Sequence, residues 1–311
     1  MQSGHFHFRV ALCGLALLGC TLGMPGPGEA QTAVVSTFAS GLNAPRGLVF
    51  DAAGNLYVSQ RYATSRIVKF TPPSNVPTVF VTGIVDPIEM VFDDAGNMFV
   101  ADYDNASTAG RIWKVTPGGV KSSFVTIPNP DAMTRDAAGN LYVGEYFNQK
   151  IDKVTPAGVV SVYVASIGVA GSRLTMLTMD TDGTLYAGML DGTIYKVAPG
   201  GSPVTSFNHS MGSVLGFIHG PAGDWFATSY DNEEIFKITP AGAGALIAGA
   251  HGVFGLVDGS GLAARFHYPS GLAYDGHLMY VADYFNDAIR QVDFGTPANP
   301  STWGKVKAAY R

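Results

Sequence analysis

The phrase Gly54-Asn55-Leu56-Tyr57-Val58 decides the fold, because it returns at regular steps along the chain. Two close copies are Gly96-Asn97-Met98-Phe99-Val100 and Gly139-Asn140-Leu141-Tyr142-Val143, and three weaker copies end at Ala187, Ala227 and Val281. The copies recur about every 40–45 residues, with one longer step before the last. Self-similarity at this period is typical of repeat architectures, in which each unit buries its apolar face against the next one.

Each copy is embedded in the same order of strand signals, named a to d from the inside outward. An apolar stretch precedes it, as at residues 45–50, and an alternating strand follows, as at Ile67-Val68-Lys69-Phe70. A fourth segment closes most units, and Val34-Val35-Ser36-Thr37-Phe38 supplies the one that the last unit lacks. Four short strands per unit predict a propeller blade. We therefore predict an all-β fold, a six-bladed β-propeller of four-stranded antiparallel blades, with the ring closed by an N-terminal strand that completes the last blade.

The composition is that of a compact, turn-rich chain. The 311 residues are 47% hydrophobic and only 14% charged, and they include 39 glycines. The low charge and the 11% aromatic content argue against intrinsic disorder, and the many glycines argue against a coiled coil. The formal net charge of −5 offers no basic surface, so we expect no nucleic-acid partner.

The first thirty residues predict an export signal. An apolar run from Val10 to Met24 is too short to span a membrane, and the small-residue pattern Gly28-Glu29-Ala30 follows it. We interpret residues 1–30 as a signal peptide cleaved after Ala30. Residues 31–311 are then a single propeller domain in the periplasm or outside the cell, with no transmembrane segment and with 295–311 as a loop on its outside. Leu17-Leu18-Gly19-Cys20 resembles a bacterial lipobox, so a lipoprotein anchored at Cys20 is the alternative.

The units resemble NHL repeats. Residues 269–293 carry the best match, at Pro269, Gly271, Asp275, Tyr280-Val281-Ala282-Asp283, Asn286 and Ile289. The resemblance covers nearly all of the chain after residue 30 and implies a six-bladed propeller of the TolB-like and gluconolactonase-like superfamily. It implies little about activity, because the matching residues are structural and this fold hosts binding modules, lactonases and lyases alike.

The mouth of the central channel is the candidate site. Strand a begins and strand b ends on the same side of each blade, so these ends surround one concave opening. The candidate ligand-binding residues there are Arg46, Arg61, Glu89, Asp102, Tyr103, Asp131, Glu145, Tyr146, Tyr230, Asp283 and Tyr284. Strict alternation along the strand would turn Glu89 away from the side that Asp131 faces. The resemblance to NHL units implies an alternative role for Asp102 and Asp283, which is to bond loop amides of their own blades.

Three functional hypotheses follow, of which the last is a purely structural role for the propeller, as an assembly surface with no small-molecule site. The first is an exported binding module whose acidic, Tyr-rich mouth takes a peptide, a glycan or a partner protein, since tyrosines supply rigid contact area with a polar tip. The second is a divalent-metal-dependent hydrolase or lyase. The resemblance to gluconolactonase-like propellers implies a ligand of a divalent cation at Asp131, in its Pro130-Asp131 context, and carboxylate oxygens suit Ca²⁺. Glu89 is displaced by one residue from the family's position, and the hypothesis takes it as the second ligand, with Arg46 polarising the substrate. The repeated Ile-x-Lys-Val-Thr-Pro phrase also resembles streptogramin lyases, which have seven blades and use a histidine. No catalytic residue is assigned.

Overall fold

The computed structural model describes residues 33–103, 110–208, 211–220 and 223–295. The predicted signal at residues 1–30, with Cys20, lies outside the described residues. The regular secondary structure of the described residues is almost all β-strand, with short 3-10 turns at Tyr62–Thr64, Gly261–Ala263 and Tyr284–Asn286. No helix within these ranges has the length and apolar character needed to cross a membrane.

Six antiparallel sheets follow one another along the chain, and each sheet is one blade. Strands a to d of blade 1 are Pro45–Phe50, Leu56–Gln60, Arg66–Phe70 and Thr78–Thr82, and those of blade 2 are Pro87–Phe92, Met98–Asp102, Arg111–Val115 and Lys121–Thr126. Blade 3 contains Pro130–Arg135, Leu141–Glu145, Lys150–Val154 and Val160–Val164, and blade 4 contains Leu174–Met179, Leu185–Met189, Ile194–Val197 and Val204–Asn208. Blade 5 contains Val214–His219, Trp225–Ser229, Glu234–Ile238 and Gly244–Gly249, and strands a to c of blade 6 are Pro269–Tyr274, Leu278–Asp283 and Ala288–Asp293. The predicted all-β propeller with six blades is confirmed.

The ring is closed in the last blade. Val34–Ala39 forms strand d of blade 6 and pairs antiparallel with strand c, so that Val35 lies opposite Val292. This sheet is consistent with the predicted closure by an N-terminal strand. The insertion before blade 6 adds a feature that the sequence did not predict, because its Gly259–Ser260 segment pairs with the outer edge of Val34 and Val35. A fifth strand thus covers part of the edge that would otherwise be exposed.

Aromatic residues of the repeated phrase fill the seams between blades. The ring of Tyr57 contacts those of Phe80 and Phe92 in the seam between blades 1 and 2, with centroids 4.9 and 5.1 Å apart. Tyr280 has the same role in the closing seam, where its ring lies 5.3 Å from that of Phe38. The turn that presents Tyr57 needs glycine, because Gly54 has a φ of +82° in the left-handed region.

The inner strands are irregular where they begin. In all six blades the pairing of strand a with strand b shifts register near the first residues of strand a, for example between Pro87 and Met90 in blade 2. A β-bulge of this kind re-aims the side chains next to it. The alternation expected from the sequence is therefore broken here, and Glu89 lines the channel cavity.

Candidate functional site at the mouth of the channel

A buried ion pair lies at the start of the inner strands. Arg46 in blade 1 and Asp131 in blade 3 are 3% and 6% exposed, and Nη2 of Arg46 lies 3.1 Å from Oδ1 of Asp131. The guanidinium also donates to the carbonyl oxygen of Leu215 in blade 5, at 3.4 Å. Burial raises the pKa of Asp131, and the positive charge of Arg46 opposes that shift. One arginine thereby links three blades across the channel.

Glu89 in blade 2 lies close to this pair. Its Oε1 accepts a hydrogen bond from the Met90 N–H at 3.1 Å, and its side chain lines a cavity of about 130 Å³ together with Met176 and Leu215. Burial raises the pKa of Glu89 to about 7, against the lowering effects of the Met90 amide and of Arg46. This carboxyl group therefore titrates near neutral pH.

The inner strands approach one another so closely at the mouth that glycine is required. A Cβ atom on Gly47 would overlap the carbonyl oxygen of Ile88, and one on Gly271 would overlap the carbonyl oxygen of Arg46. Ser59 bridges the same two strands, because its hydroxyl accepts from the Gly47 N–H and donates to the Ile88 carbonyl, both at 2.8 Å. These contacts hold the buried ion pair on a rigid frame.

A second ion pair and a group of tyrosines lie around the mouth on the side of blades 1, 5 and 6. Arg61 follows strand b of blade 1 and donates through both Nε and Nη2 to Asp86, with an Nε to Oδ1 distance of 2.6 Å. The hydroxyls of Tyr62 and Tyr284 lie 2.6 Å apart, and the ring of Tyr284 lies 6.0 Å from that of Tyr230. Burial raises the pKa of Tyr230 to about 12, so its hydroxyl keeps its proton at neutral pH.

A second aromatic group lies on the side of blades 2 and 3. The rings of Tyr103 and Tyr146 are 5.6 Å apart, and Phe147 lies 5.0 Å from Tyr146. The guanidinium of Arg173 lies over the ring of Phe147 at 4.8 Å. Burial raises the pKa of Tyr103 to about 12, and the negative charge of Asp131 adds to this shift. Asp131 acts in the same direction on Tyr146, so both hydroxyls lie in the field of the buried pair.

Two of the predicted mouth carboxylates bond within their own blades. Asp102 accepts hydrogen bonds from the Asp86 N–H at 2.8 Å and from the Trp113 indole at 2.7 Å. Asp283 is fully buried, and its Oδ2 lies 2.9 Å from Nη1 of Arg290, which belongs to strand c of the same blade. Both residues therefore have the alternative role that the resemblance to NHL units implies, which is to hold the loops of their own blades.

Glu145, the third b-strand carboxylate, belongs to a buried charged cluster in blade 3. Nζ of Lys150 lies 2.6 Å from Glu145 and 3.2 Å from Asp152. Burial raises the pKa of Asp152 to about 6, and its hydrogen bond with Glu145 adds to the shift. For Glu145, burial is outweighed by the hydrogen bonds from Asp152 and Lys150, and its pKa is lowered. The structure therefore directs Glu145 toward strand c of its own blade.

The position directly before strand a is not among the channel positions that the sequence predicts. Three residues at that position lie at the mouth, and they are Asp86, Arg173 and Tyr268. The ring of Tyr268 lies 4.6 Å from that of Tyr230, and its φ of +58° is rare for an aromatic residue. Extending the alignment of the six units by two residues upstream of the position of Arg46 would have identified all three.

The predicted calcium site does not fit the residues that the structure brings together. Ca²⁺ takes 6–8 oxygen ligands, whereas an oxygen of Asp131 is already bonded to the guanidinium of Arg46. Across the described ranges, no group of three or more His, Cys, Asp or Glu side chains is arranged to hold a metal ion.

Solved structures of other proteins are similar to this chain in fold. An auxiliary nutrient binding protein from Bacteroides thetaiotaomicron is 15% identical, with a TM-score of 0.72 over 84% of this chain and 76% of that one. A second protein of that description, from Bacteroides ovatus, is 19% identical with the same TM-score and the same coverage of both chains. This chain is a six-bladed β-propeller. Virginiamycin B lyase from Staphylococcus aureus also matches the propeller, at 16% identity and a TM-score of 0.61, over 84% of this chain and 98% of that one.

The sequence comparisons cover much less of the propeller. The family model for the N-terminal region of strictosidine synthase-like proteins matches residues 176–197, which lie in blade 4. A search of curated proteins finds no match. At identities of 15–19% the structural similarity shows the fold alone. The six-bladed propeller fold that the resemblance to NHL repeats implies is confirmed.

Proposed function

We propose that this propeller is an exported binding protein that takes a glycan in the mouth of its channel. The observation that carries the proposal is a ring of tyrosines around two ion pairs, Arg46 with Asp131 and Arg61 with Asp86. Each pair neutralises its own charge, so the mouth is less acidic than the sequence suggested. An uncharged, hydroxyl-rich ligand is therefore favoured over a cationic peptide, which would need a free carboxylate.

The polar groups of the mouth suit sugar hydroxyls. The pKa values of Tyr103 and Tyr230 are raised to about 12, so both phenols stay protonated and can donate as well as accept hydrogen bonds. A sugar hydroxyl has the same dual character, and a tyrosine ring offers a flat apolar face beside it. The nutrient-binding description of the Bacteroides propellers supports a binding role, and the predicted signal at residues 1–30 supports export.

Calorimetric titration with a panel of oligosaccharides and peptides tests the proposal. We expect the double variant Tyr103→Ala, Tyr146→Ala to weaken glycan binding at least tenfold, because central aromatic contacts contribute on the order of 2 kcal/mol or more. Tyr163→Ala is the matched control, since Tyr163 is a half-buried tyrosine in the outer strand of blade 3. Its affinity for the same glycan should equal that of the wild type.

Three results would contradict the proposal in different ways. Unchanged affinity of the double variant for every detected ligand would place the binding site elsewhere on the ring. A preference for cationic peptides over glycans would refute the ligand class. Conversion of a bound ligand to product would favour the hydrolase or lyase hypothesis instead.

A further inference from the structure

Four aromatic rings lie together where the insertion meets blade 6. The ring of Phe254, in the insertion, stacks on that of His267 with centroids 4.7 Å apart, and His267 stacks in turn on Tyr268 at 5.2 Å. Phe285 lies against them, with its centroid 5.0 Å from that of Tyr268. We call these four residues the aromatic platform. They form one connected aromatic surface rather than single scattered side chains.

The aromatic platform is continuous with the channel mouth. Tyr268 directly precedes strand a of blade 6, and Phe285 lies in the turn that follows strand b, so both residues are on the mouth side of the ring. The ring of Tyr268 lies 4.6 Å from that of Tyr230, and the ring of Phe285 lies 5.0 Å from that of Tyr284. Aromatic rings therefore line an unbroken path from the tyrosines of the mouth outward to Phe254.

Hydrogen bonds between three chain segments hold the platform in place. The N–H of Phe285 donates to the carbonyl oxygen of His267 at 3.0 Å, and the N–H of Gly255 donates to the carbonyl oxygen of Phe266 at 2.9 Å. Nδ2 of Asn286 donates to the carbonyl oxygen of Gly255 at 2.7 Å. Because these segments are already fixed to one another, a ligand that binds there has little backbone to order.

Two rings of this fixed surface are open to solvent. Phe254 is 66% exposed and Phe285 is 52% exposed. The later part of the insertion accounts for its structural role, because Asp258 pairs with the buried Arg290 at 2.7 Å and Gly259–Ser260 pairs with the outer edge of blade 6. Phe254 precedes that part and stacks on the mouth side instead. Connected exposed apolar surface of this kind marks an interaction site.

We infer that the glycan is a chain of several sugar units, one end of which lies in the mouth while further units lie on the aromatic platform. This inference rests on the function proposed above. The negative face of an aromatic ring attracts the C–H groups on the flat side of a sugar, whose hydroxyls then stay in water. Two carboxylates at the platform are already bonded to its backbone, since Asp283 accepts from the His267 N–H at 2.7 Å and Glu233 accepts from the Tyr268 N–H. An uncharged chain that continues out of the mouth therefore fits this surface better than a charged partner does.

Calorimetric titration with sugar chains of increasing length tests the inference. The probes are cello-, malto-, xylo- and chito-oligosaccharides of two to about six units, added to the full-length chain. In the wild type, affinity should rise with chain length for the sugar that binds. Phe254→Ala should bind the longest chains on the order of threefold to tenfold more weakly, because one exposed ring face is no longer covered. Its affinity for the disaccharide should equal that of the wild type.

Three further variants identify the kind of contact. Phe254→Tyr keeps a flat ring and should retain the gain in affinity with chain length, whereas Phe254→Leu keeps apolar area without the ring and should lose most of the gain. Leu262→Ala is the matched control, since Leu262 belongs to the same insertion and is 59% exposed but follows the strand at the outer edge of blade 6. It should behave as the wild type at every chain length.

The outcomes separate this inference from the function on which it rests. Binding whose affinity does not depend on chain length, or an equal gain in Phe254→Ala, overturns the inference and leaves a glycan site in the mouth. Binding of none of the sugar chains contradicts both. Full retention of the gain in Phe254→Leu would indicate a general apolar contact, as with a protein partner, and overturns sugar stacking. A dimer in analytical ultracentrifugation that Phe254→Ala converts to monomer would assign the platform to a second copy of the chain and equally overturns it.

Discussion

Removing the charge of Asp131 is expected to be the most damaging conservative change at the channel mouth. Asp131→Asn leaves the guanidinium of Arg46, which is 3% exposed, without its carboxylate partner. Breaking a buried pair in this way costs about 3–5 kcal/mol of folding free energy. A domain of this size loses about 2–4 °C of melting temperature per kcal/mol, so the expected fall is on the order of 6–20 °C.

The charge of Glu89 determines how large the loss of stability in Asp131→Asn is within this range. At pH 8 its carboxyl group is largely ionised, because its pKa is about 7. It then offers Arg46 a second counter-charge, and the single variant Asp131→Asn should lie at the low end of the range. The double variant Asp131→Asn, Glu89→Gln removes both charges and should lose more stability than the sum of the two single changes. Groups that share one partner show coupling energies of about 0.5–3 kcal/mol.

Urea denaturation and calorimetry at pH 8 measure all four chains of this cycle. The exposed pair of Arg135 and Asp94 provides the control, since the side chain of Asp94 is 78% exposed although its oxygen lies 2.6 Å from Nη2 of Arg135. Asp94→Asn should leave the melting temperature nearly unchanged. A loss below about 1 kcal/mol for Asp131→Asn, or additivity within about 0.5 kcal/mol in the cycle, would refute the reasoning.

Three further predictions concern the same strands. The pKa of Glu89 is raised from 4.5 to about 7 in the folded chain. As pH rises, the unfolded chain therefore loses this proton at a lower pH than the folded chain does. The folding stability of the wild type should consequently fall as pH rises from about 4.5 to about 7. Glu89→Gln should remove that slope and be more stable than the wild type at pH 8 by up to about 3 kcal/mol in urea denaturation. Gly271→Ala should destabilise the fold by about 1–3 kcal/mol, because its methyl group meets the carbonyl of Arg46. Gly118→Ala is the control and should lower the thermal midpoint less, because a Cβ atom there meets only the Thr116 hydroxyl, at the ordinary contact distance of 3.9 Å. Ser59→Ala removes both hydrogen bonds between the first two inner strands and should cost about 1–3 kcal/mol by calorimetry, whereas an unchanged midpoint would mean that the hydroxyl is dispensable.

Much of the candidate site was visible in the sequence because each blade repeats the same local pattern. Aligning the units placed Arg46, Asp131 and Tyr103 at channel positions, and the structure brings these residues to one opening. Strict alternation does not anticipate the β-bulge at the start of every inner strand, and Glu89 lies next to the bulge of blade 2 and lines the channel cavity. The position before strand a was overlooked, and with it Asp86, the partner of Arg61.

The blades, their number and their turns follow from the sequence alone, because hairpins and period-2 alternation are local properties that recur in each unit. The net charge of the channel mouth does not follow from the sequence. Arg46 and Asp131 are 85 residues apart and meet only because the ring brings blades 1 and 3 to one channel. Asp102 is, like Asp131, a carboxylate that the sequence places at the mouth, yet its oxygens accept hydrogen bonds from its own blade. Which carboxylates remain available to a ligand depends on partners and burial, and both are set by tertiary contacts across the ring.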